Sequence, residues 1–309
     1  MKNRPLALAL KLLWGLALVI LIAWYGDIGE SWKAMETARA GPLVLATALG
    51  VLSVFLGALG VTLLGRAVNE NLGWMPGIKG FCVAWVLGFF LGRVSEFSLP
   101  WFWRHHLSIP QGGAVVLVDK LVSLAWFTVL GAVGLGLLVD PRAGLLAAGF
   151  GFLMLGGVFF VTLSDSAQRL AAKLLPSRWV EPLRDLPATF RLVTERRRGA
   201  VVANVLITGL RAALHGASLV ALMAAIGKTL DPFIATTIQA MVALTSLIPG
   251  SLMGLGYWES VYVMGLGRVG IGAADALAAA LTWRALNLLI MPPIFLFGWS
   301  QRTDRGAFG

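Results

Sequence analysis

Charge stands in this chain where hydrocarbon is expected. The run Gly88-Phe89-Phe90-Leu91-Gly92-Arg93-Val94-Ser95-Glu96 is apolar, broken by glycines and closed by a carboxylate, with Pro100 just beyond. The run Pro249-Gly250-Ser251-Leu252-Met253-Gly254-Leu255-Gly256-Tyr257-Trp258-Glu259 has the same character. Each is followed by an apolar stretch carrying an interior cation: Lys120 comes 24 positions after Glu96, and Arg284 comes 25 after Glu259. An ionisable side chain inside a bilayer costs roughly 2.5–3.5 kcal/mol on insertion scales, so it marks a site or a pairing. Arg284 offers a planar fork of donors to a phosphate, and Lys120 offers a point charge. Arg93 is a further phosphate contact near the mouth of the first run. Glycines 88, 92, 254 and 256, with Gly250 beside Pro249, permit turns that other residues resist. Free N–H groups at the half-helix starts then form an anion site. Close helix packing explains any single one of these glycines equally well. Three roles stay open for Glu96 and Glu259: accepting from a cationic headgroup, binding a coupling proton, or pairing with Lys120 and Arg284.

The elements that must position these groups are membrane helices. The 309 residues are 58% hydrophobic and 13% charged, against about 25% charged in soluble domains. Several runs are long enough to cross the ~30 Å hydrocarbon core. The alternating segments of a membrane barrel are absent from the sequence. Spans are expected over about 6–25, 42–65, 113–138, 143–163, 200–226 and 273–298, with broken segments over about 80–101 and 233–267. The basic start and apolar run at Met1 to Trp24 read as a retained first span, without a small-x-small cleavage site. Cys82 is the sole cysteine, so neither an intrachain disulfide nor a cysteine metal cluster can form. The net charge of +10 fits positive loops against anionic lipid rather than nucleic acid.

Lysine and arginine set the topology. The stretch 164–199 carries eight of them, and Lys2 and Arg4 begin the chain. Both should face the cytoplasm. That holds only if 80–101 dips in and returns, and 233–267 does the same from the other side. The expected architecture is an all-α polytopic membrane protein of six full spans and two re-entrant hairpins. It forms one transmembrane domain over 1–309, with inverted halves of about 1–139 and 140–309 and both termini cytoplasmic. Eight ordinary spans are the alternative. Within 164–199, Leu170, Leu174, Leu186, Phe190 and Val193 alternate with Arg169, Lys173 and Arg191. This amphipathic cytoplasmic loop suits a helix at the headgroup level or a docking face for a protein partner.

Other ionisable candidates are Arg104, Asp119 and Asp275, and Arg211 is counted with the substrate-binding residues. Arg211 and His215 share a helix face at i and i+4. Arg104, His105 and His106 follow Trp101 and Trp103 and read as an interfacial anchor, and Trp24, Trp101, Trp103 and Trp299 fit an aromatic belt. Glycine spacings from Gly57 to Gly65 read as helix packing. No nucleophile elbow, P-loop, HExxH or dinucleotide fingerprint occurs, so no catalytic residue, metal or cofactor is assigned.

At Gly92-Arg93-Val94-Ser95-Glu96, Asp119-Lys120, Pro249 to Glu259 and Arg284, the chain resembles the lysylphosphatidylglycerol synthase transmembrane-domain family, also called flippase-like integral membrane proteins. Ser95 stands where that family's pattern has glycine, Lys120 takes an arginine place, and the second motif is longer than the pattern. The resemblance implies flipping or scrambling of an anionic, aminoacylated or polyprenyl-linked lipid in a bacterial or archaeal cell membrane. Bifunctional members add a soluble aminoacyl transferase domain. This chain ends at Gly309 without one and is expected not to make aminoacyl lipid itself. An intramembrane transferase using Glu96 or Glu259 as general base, and a non-catalytic membrane subunit docking through 164–199, are the alternatives.

Overall fold

The computed structural model describes residues 27–91, 98–164, 186–245 and 256–300. The expected first span, Gly92, Arg93, Glu96, Gly250, Gly254 and the 170–175 part of the amphipathic loop lie outside them. Every regular element described is helical: α1 Ile28–Glu36, α2 Ala40–Val68, α3 Trp74–Leu91, the single turn α4 Leu99–Phe102, α5 Ile109–Leu138 and α6 Pro141–Leu163. They continue with α7 Leu186–Arg191, α8 Arg198–Ala225, α9 Pro232–Thr245, α10 Tyr257–Gly267 and α11 Ala273–Trp299. Five of these, α2, α5, α6, α8 and α11, are long and apolar enough to cross a membrane. The protein is an all-α polytopic membrane protein.

Polar caps followed by proline start three of the helices. Ser108 and Gln111 cap α5 reciprocally, at 3.4 and 3.0 Å, with Pro110 in the first turn. Asp140 accepts from the Arg142 N–H ahead of α6, and Asp231 accepts from the N–H groups of Phe233 and Ile234 at the head of α9. Proline costs nothing there because its missing N–H would have no helical partner. The stretch between the expected spans 6–25 and 42–65 contains α1. Asp27 caps it through the N–H groups of Gly29 and Glu30, and buried Ser31 donates to the Ala274 carbonyl at the start of α11.

Glycine lets the long helices approach. A methyl at Gly57 would meet the Arg211 guanidinium carbon at 2.6 Å, and one at Gly60 would meet the Asn204 amide at 3.0 Å. These contacts join α2 to α8 and bear out the packing reading of Gly57 to Gly65. Gly131 and Gly134 of α5 face Leu244 and Thr237 of α9, and Gly298 of α11 faces Lys79 and Val83 of α3. The residue order in the first two pairs shows that α2 and α8 are antiparallel, as are α5 and α9.

The packing is reciprocal. α2 leads into α3 as α8 leads into α9, and each of these pairs is in contact. α5 packs on α9 while α11 packs on α3, and α4 packs on α5 as α10 packs on α11. One buried apolar cluster gathers around Leu64, Trp103 and Phe190, the other around Leu219, Tyr262 and Leu266.

Two ends of the bundle can be told apart by cross-links. At one end the Arg39 N–H donates to the Ala225 carbonyl, and Lys228 pairs with Asp275 at 2.8 Å. At the other, Asn69 donates to the His106 carbonyl and Arg197 meets Glu70. The segment from Trp74 to Trp103 begins and ends at the second end, since Trp103 packs beside Gly65 and Gly80. The segment from Pro232 to Asp275 begins and ends at the first. Trp103 is fully buried; it belongs to the core and not to an aromatic belt, because it closes the space between α2 and α3. Trp101 and Trp299 are exposed, and Arg104 lies 4.3 Å over the Trp101 ring. Phe190 and Val193 are buried while Arg191 is exposed, so the amphipathic pattern of α7 is real.

Candidate functional site

Glu259 lies in the first turn of α10, and Gly256 precedes that helix with φ +84°. A side chain resists this backbone region and glycine does not. The turn aims Glu259 inward, and its Oε2 accepts from the Gly256 N–H at 2.9 Å. Its Oε1 accepts from Arg284 Nε at 2.8 Å and lies 2.7 Å from Arg284 Nη2. Glu259 is 2% exposed and Arg284 9%. Neither charge is tolerable alone at that depth, and together they are compensated. The Arg284 guanidinium also sits 5.0 Å over the Trp258 ring, a further attraction for a cation. One turn beyond Glu259, buried Tyr262 accepts at its hydroxyl from Gln239 of α9 at 2.9 Å.

Lys120 forms a second centre. Its Nζ lies 3.1 Å from Oδ2 of Asp119, its own neighbour on α5. The other carboxylate oxygen, Oδ1, accepts from Asn204 Nδ2 of α8 at 3.0 Å. Lys120 stands eleven residues beyond Ile109, and Arg284 stands eleven beyond Ala273. At 1.5 Å per residue both cations lie about 16 Å into their helices, and those helices start from opposite ends of the bundle. Each therefore sits near the middle of a ~30 Å core.

The two broken segments meet inside. Phe89, near the inner end of α3, packs edge-on against Trp258 with ring centroids 6.1 Å apart. Arg211, expected with the anion contacts, lies between α2 and α8 instead. Its Nε donates to the Ser53 carbonyl at 3.2 Å and its plane presses on Gly57. His215, one turn on, shares a 3.0 Å hydrogen bond with the Ser53 hydroxyl and packs edge-on against Trp283. Asp275 lies at a bundle end with Lys228. The structure thus brings Glu259, Arg284 and Gly256 together, holds Lys120 in a separate pair, and sets Arg211 in a third. Of the three roles open for Glu259, pairing with Arg284 is the one observed. An apolar crevice of about 620 Å³ opens between α2, α8 and α9, lined by Leu45, Leu49, Ala217 and Val220 among others.

Sequence reasoning missed Asn204, Gln239, Tyr262 and Trp258. Asn204 and Gln239 are uncharged polar residues inside otherwise apolar helices, a signal that was present but weaker than a charge. Trp258 and Tyr262 carry no such signal, because aromatic residues are ordinary core.

No curated protein matches the chain. The family model described as the lysylphosphatidylglycerol synthase TM region matches residues 12–293. That range takes in both broken segments, the Glu259–Arg284 pair and Lys120, and the chain belongs to this family.

Proposed function

We propose that the protein carries an anionic lipid headgroup between leaflets, with the phosphate bound between Lys120 and Arg284 while the tails stay in the bilayer. The observation that carries this reading is the pair of cations at equal depth on helices entering from opposite ends, beside the Phe89–Trp258 contact where the broken segments meet. Family membership supports a lipid-related role. A phosphate reaching this point would share Arg284 with Glu259 and draw Lys120 away from Asp119. In this reading Arg93 is a further phosphate contact, Glu96 lines the polar path with Glu259, and Gly92, Gly250 and Gly254 are the residues expected to permit anion-binding turns. The apolar crevice offers a bilayer-side seat for a tail.

The reciprocal packing and the antiparallel α2 and α8 support two inverted halves, each with a re-entrant hairpin. A hairpin of this kind must satisfy its broken backbone within protein or water. Charge supports the orientation. Lys33, Arg39, Arg142, Lys228 and Arg268 are offset at one end by Asp27, Glu30, Glu36, Asp140, Asp231 and Asp275. Arg66, Lys79, Arg104, Arg191 and Arg196 to Arg198 at the other end face only Glu70 and Glu195 among the described residues. The second end is the cytoplasmic one in this reading, in a bacterial or archaeal cell membrane.

The test is movement of headgroup-labelled lipid in proteoliposomes, read with a membrane-impermeant quencher. Anionic, zwitterionic and aminoacylated lipids would be compared. The expected result is protein-dependent movement of anionic lipid. It should fall at least tenfold in a Lys120→Gln, Glu259→Gln, Arg284→Gln triple variant that still elutes as folded protein. Folded wild type that moves none of these lipids would sink the reading and leave the transferase and subunit alternatives.

A further inference from the structure

One donor at the Glu259–Arg284 pair has no acceptor. Trp258 is the second residue of α10 and directly precedes Glu259. Its Nε1 is shielded from solvent and has no hydrogen-bond partner among the described residues. An indole N–H only donates, so an acceptor must come to it. The nearest side-chain acceptors on α10 are already engaged. Oε1 of Glu259 takes Arg284, Oε2 takes the Gly256 N–H, and the Tyr262 hydroxyl takes Gln239. Two other tryptophans show what a structural indole does. Trp126 donates to the Val205 carbonyl at 2.9 Å and ties α5 to α8. Trp103 also has a partnerless Nε1, but its ring is fully buried against α3, where a methyl at Gly80 would meet that nitrogen at 3.0 Å. The helix against it leaves no room for a ligand. Among the described residues, Trp258 has neither a carbonyl to meet nor a glycine wall against it.

The ring is instead held between a cation and the other broken segment. The Arg284 guanidinium carbon stands 5.0 Å from its centre, and Phe89 packs edge-on with centroids 6.1 Å apart. The N–H lies in the ring plane, so a cation over the face does not use it. A neutral donor is the better kind of group to keep waiting at this depth, because a charge left without its partner costs far more than an unmet N–H. Arg284 gives itself fully to an anion only by loosening Glu259, which pins the start of α10. Trp258 takes an anion without opening that ion pair. Two hydrogen bonds meeting at one oxygen span about 6 Å. The ring and the guanidinium are therefore close enough for one phosphate to reach both.

We propose that Trp258 is a phosphate-binding residue: its indole N–H donates to an oxygen of the headgroup phosphate that Arg284 attracts, and the Glu259–Arg284 pair stays closed while the anion is bound. The inference rests on the anion-transport reading for its cargo. The nitrogen is shielded in this conformation, so the phosphate reaches it as the two broken segments part at the Phe89 contact. Arg284 supplies the charge that draws the anion, and Trp258 supplies a directed bond that a headgroup without an oxygen acceptor does not satisfy.

The experiment uses the full chain in detergent with its twelve tryptophan indoles isotope-labelled for NMR. The probes are short-chain phosphatidylglycerol, diacylglycerol of the same chains, and inorganic phosphate alone. Trp258→Phe keeps an aromatic ring against Arg284 and Phe89, removes the donor, and identifies the Trp258 resonance by its loss. With phosphatidylglycerol that indole proton is expected to move downfield, the sign of a hydrogen bond formed. With diacylglycerol or inorganic phosphate it should stay in place. Affinity for phosphatidylglycerol, read from the rise in unfolding midpoint that the lipid causes, should fall at least about fivefold in Trp258→Phe. A resonance that answers inorganic phosphate as it answers the lipid would keep Trp258 as a phosphate donor and sink the lipid reading. Equal binding by wild type and Trp258→Phe, with the indole unmoved, would overturn the role of Trp258 and leave the transport reading intact. Folded wild type that binds no phosphatidylglycerol would overturn both. If Trp258→Phe does not fold, Trp258→benzothienylalanine, with sulfur replacing the N–H in the same bicyclic shape, decides the matter in both measurements.

Discussion

The two interior cations are held in opposite ways. Arg284 of α11 is gripped by Glu259 from a different element, α10, and that carboxylate is itself pinned by the Gly256 N–H. Lys120 is paired with its sequence neighbour Asp119, and α8 reaches the pair through Asn204. The Arg284 pair is a strut between two pieces of chain, nearly dry, and breaking it loosens the broken segment. The Lys120–Asp119 ion pair lies within one helix, and its lysine side chain is 22% exposed. Equal depth in matching helices therefore does not mean equal duty. Arg284 ties two elements together, while the ion pair described for Lys120 is local to its own helix.

The largest expected effect follows at the strut. Glu259→Gln keeps the hydrogen bond from Gly256 but leaves Arg284 buried without its counter-charge, at a cost of about 3–5 kcal/mol. Thermal unfolding in detergent should show it as a large drop in midpoint. Adding Arg284→Leu should recover more than half of the loss, because the uncompensated charge is then gone. Asp119→Asn should cost about 1 kcal/mol by the same measurement, since the partly exposed Lys120 can turn to water and the pairing is discounted accordingly. Equal losses at the two centres would break the contrast between strut and local pair.

Much of this contrast was legible in the sequence, but not its sense. Charge inside apolar runs marked Glu259, Arg284 and Lys120 because few forces put an ionisable group there other than a site or a partner. The near-equal spacings of 24 and 25 marked Lys120 and Arg284 as counterparts, and the structure gives them the same place in their helices. The symmetry also suggested Glu96 for Lys120 by analogy with Glu259 and Arg284; Glu96 lies outside the described residues, and the contact described for Lys120 is with Asp119, one position away. Adjacent residues on a helix do not face one another, so a pairing through a long lysine side chain is hard to anticipate from spacing. Arg211 was placed with the anion contacts on charge alone. Its seat against Gly57 depends on which face of α2 meets α8, and an almost uniformly apolar helix carries no periodicity from which to read that face.

Gly57→Ala sharpens the point about Arg211. The added methyl would lie 2.6 Å from the guanidinium carbon, and overpacking of this kind costs about 1–3 kcal/mol. The arginine end is flexible, so a value near the lower bound is expected, with the side chain displaced from the Ser53 carbonyl. Because Arg211 touches neither centre among the described residues, lipid movement in the proteoliposome assay should stay within about twofold of wild type, a difference worth less than half a kcal/mol. A tenfold loss would return Arg211 to the anion site and join the third pair to the first two.

The smallest effect belongs to a pair that resembles the others on paper. Arg197 and Glu70 lie 3.3 Å apart, a separation like that of Lys120 and Asp119, yet their side chains are 51% and 77% exposed. Water solvates both charges whether or not they meet, salt screens what attraction remains, and holding two long side chains together costs rotamer freedom. Glu70→Gln should therefore change the unfolding midpoint by no more than about 0.5 kcal/mol equivalent, and less at high ionic strength. The same charge removal at Glu259 differs only in where the water is. A loss at Glu70 comparable to that at Glu259 would mean that burial is not what separates these pairs, and the distinction between a strut at Arg284 and a local pair at Lys120 would have to be drawn on other grounds.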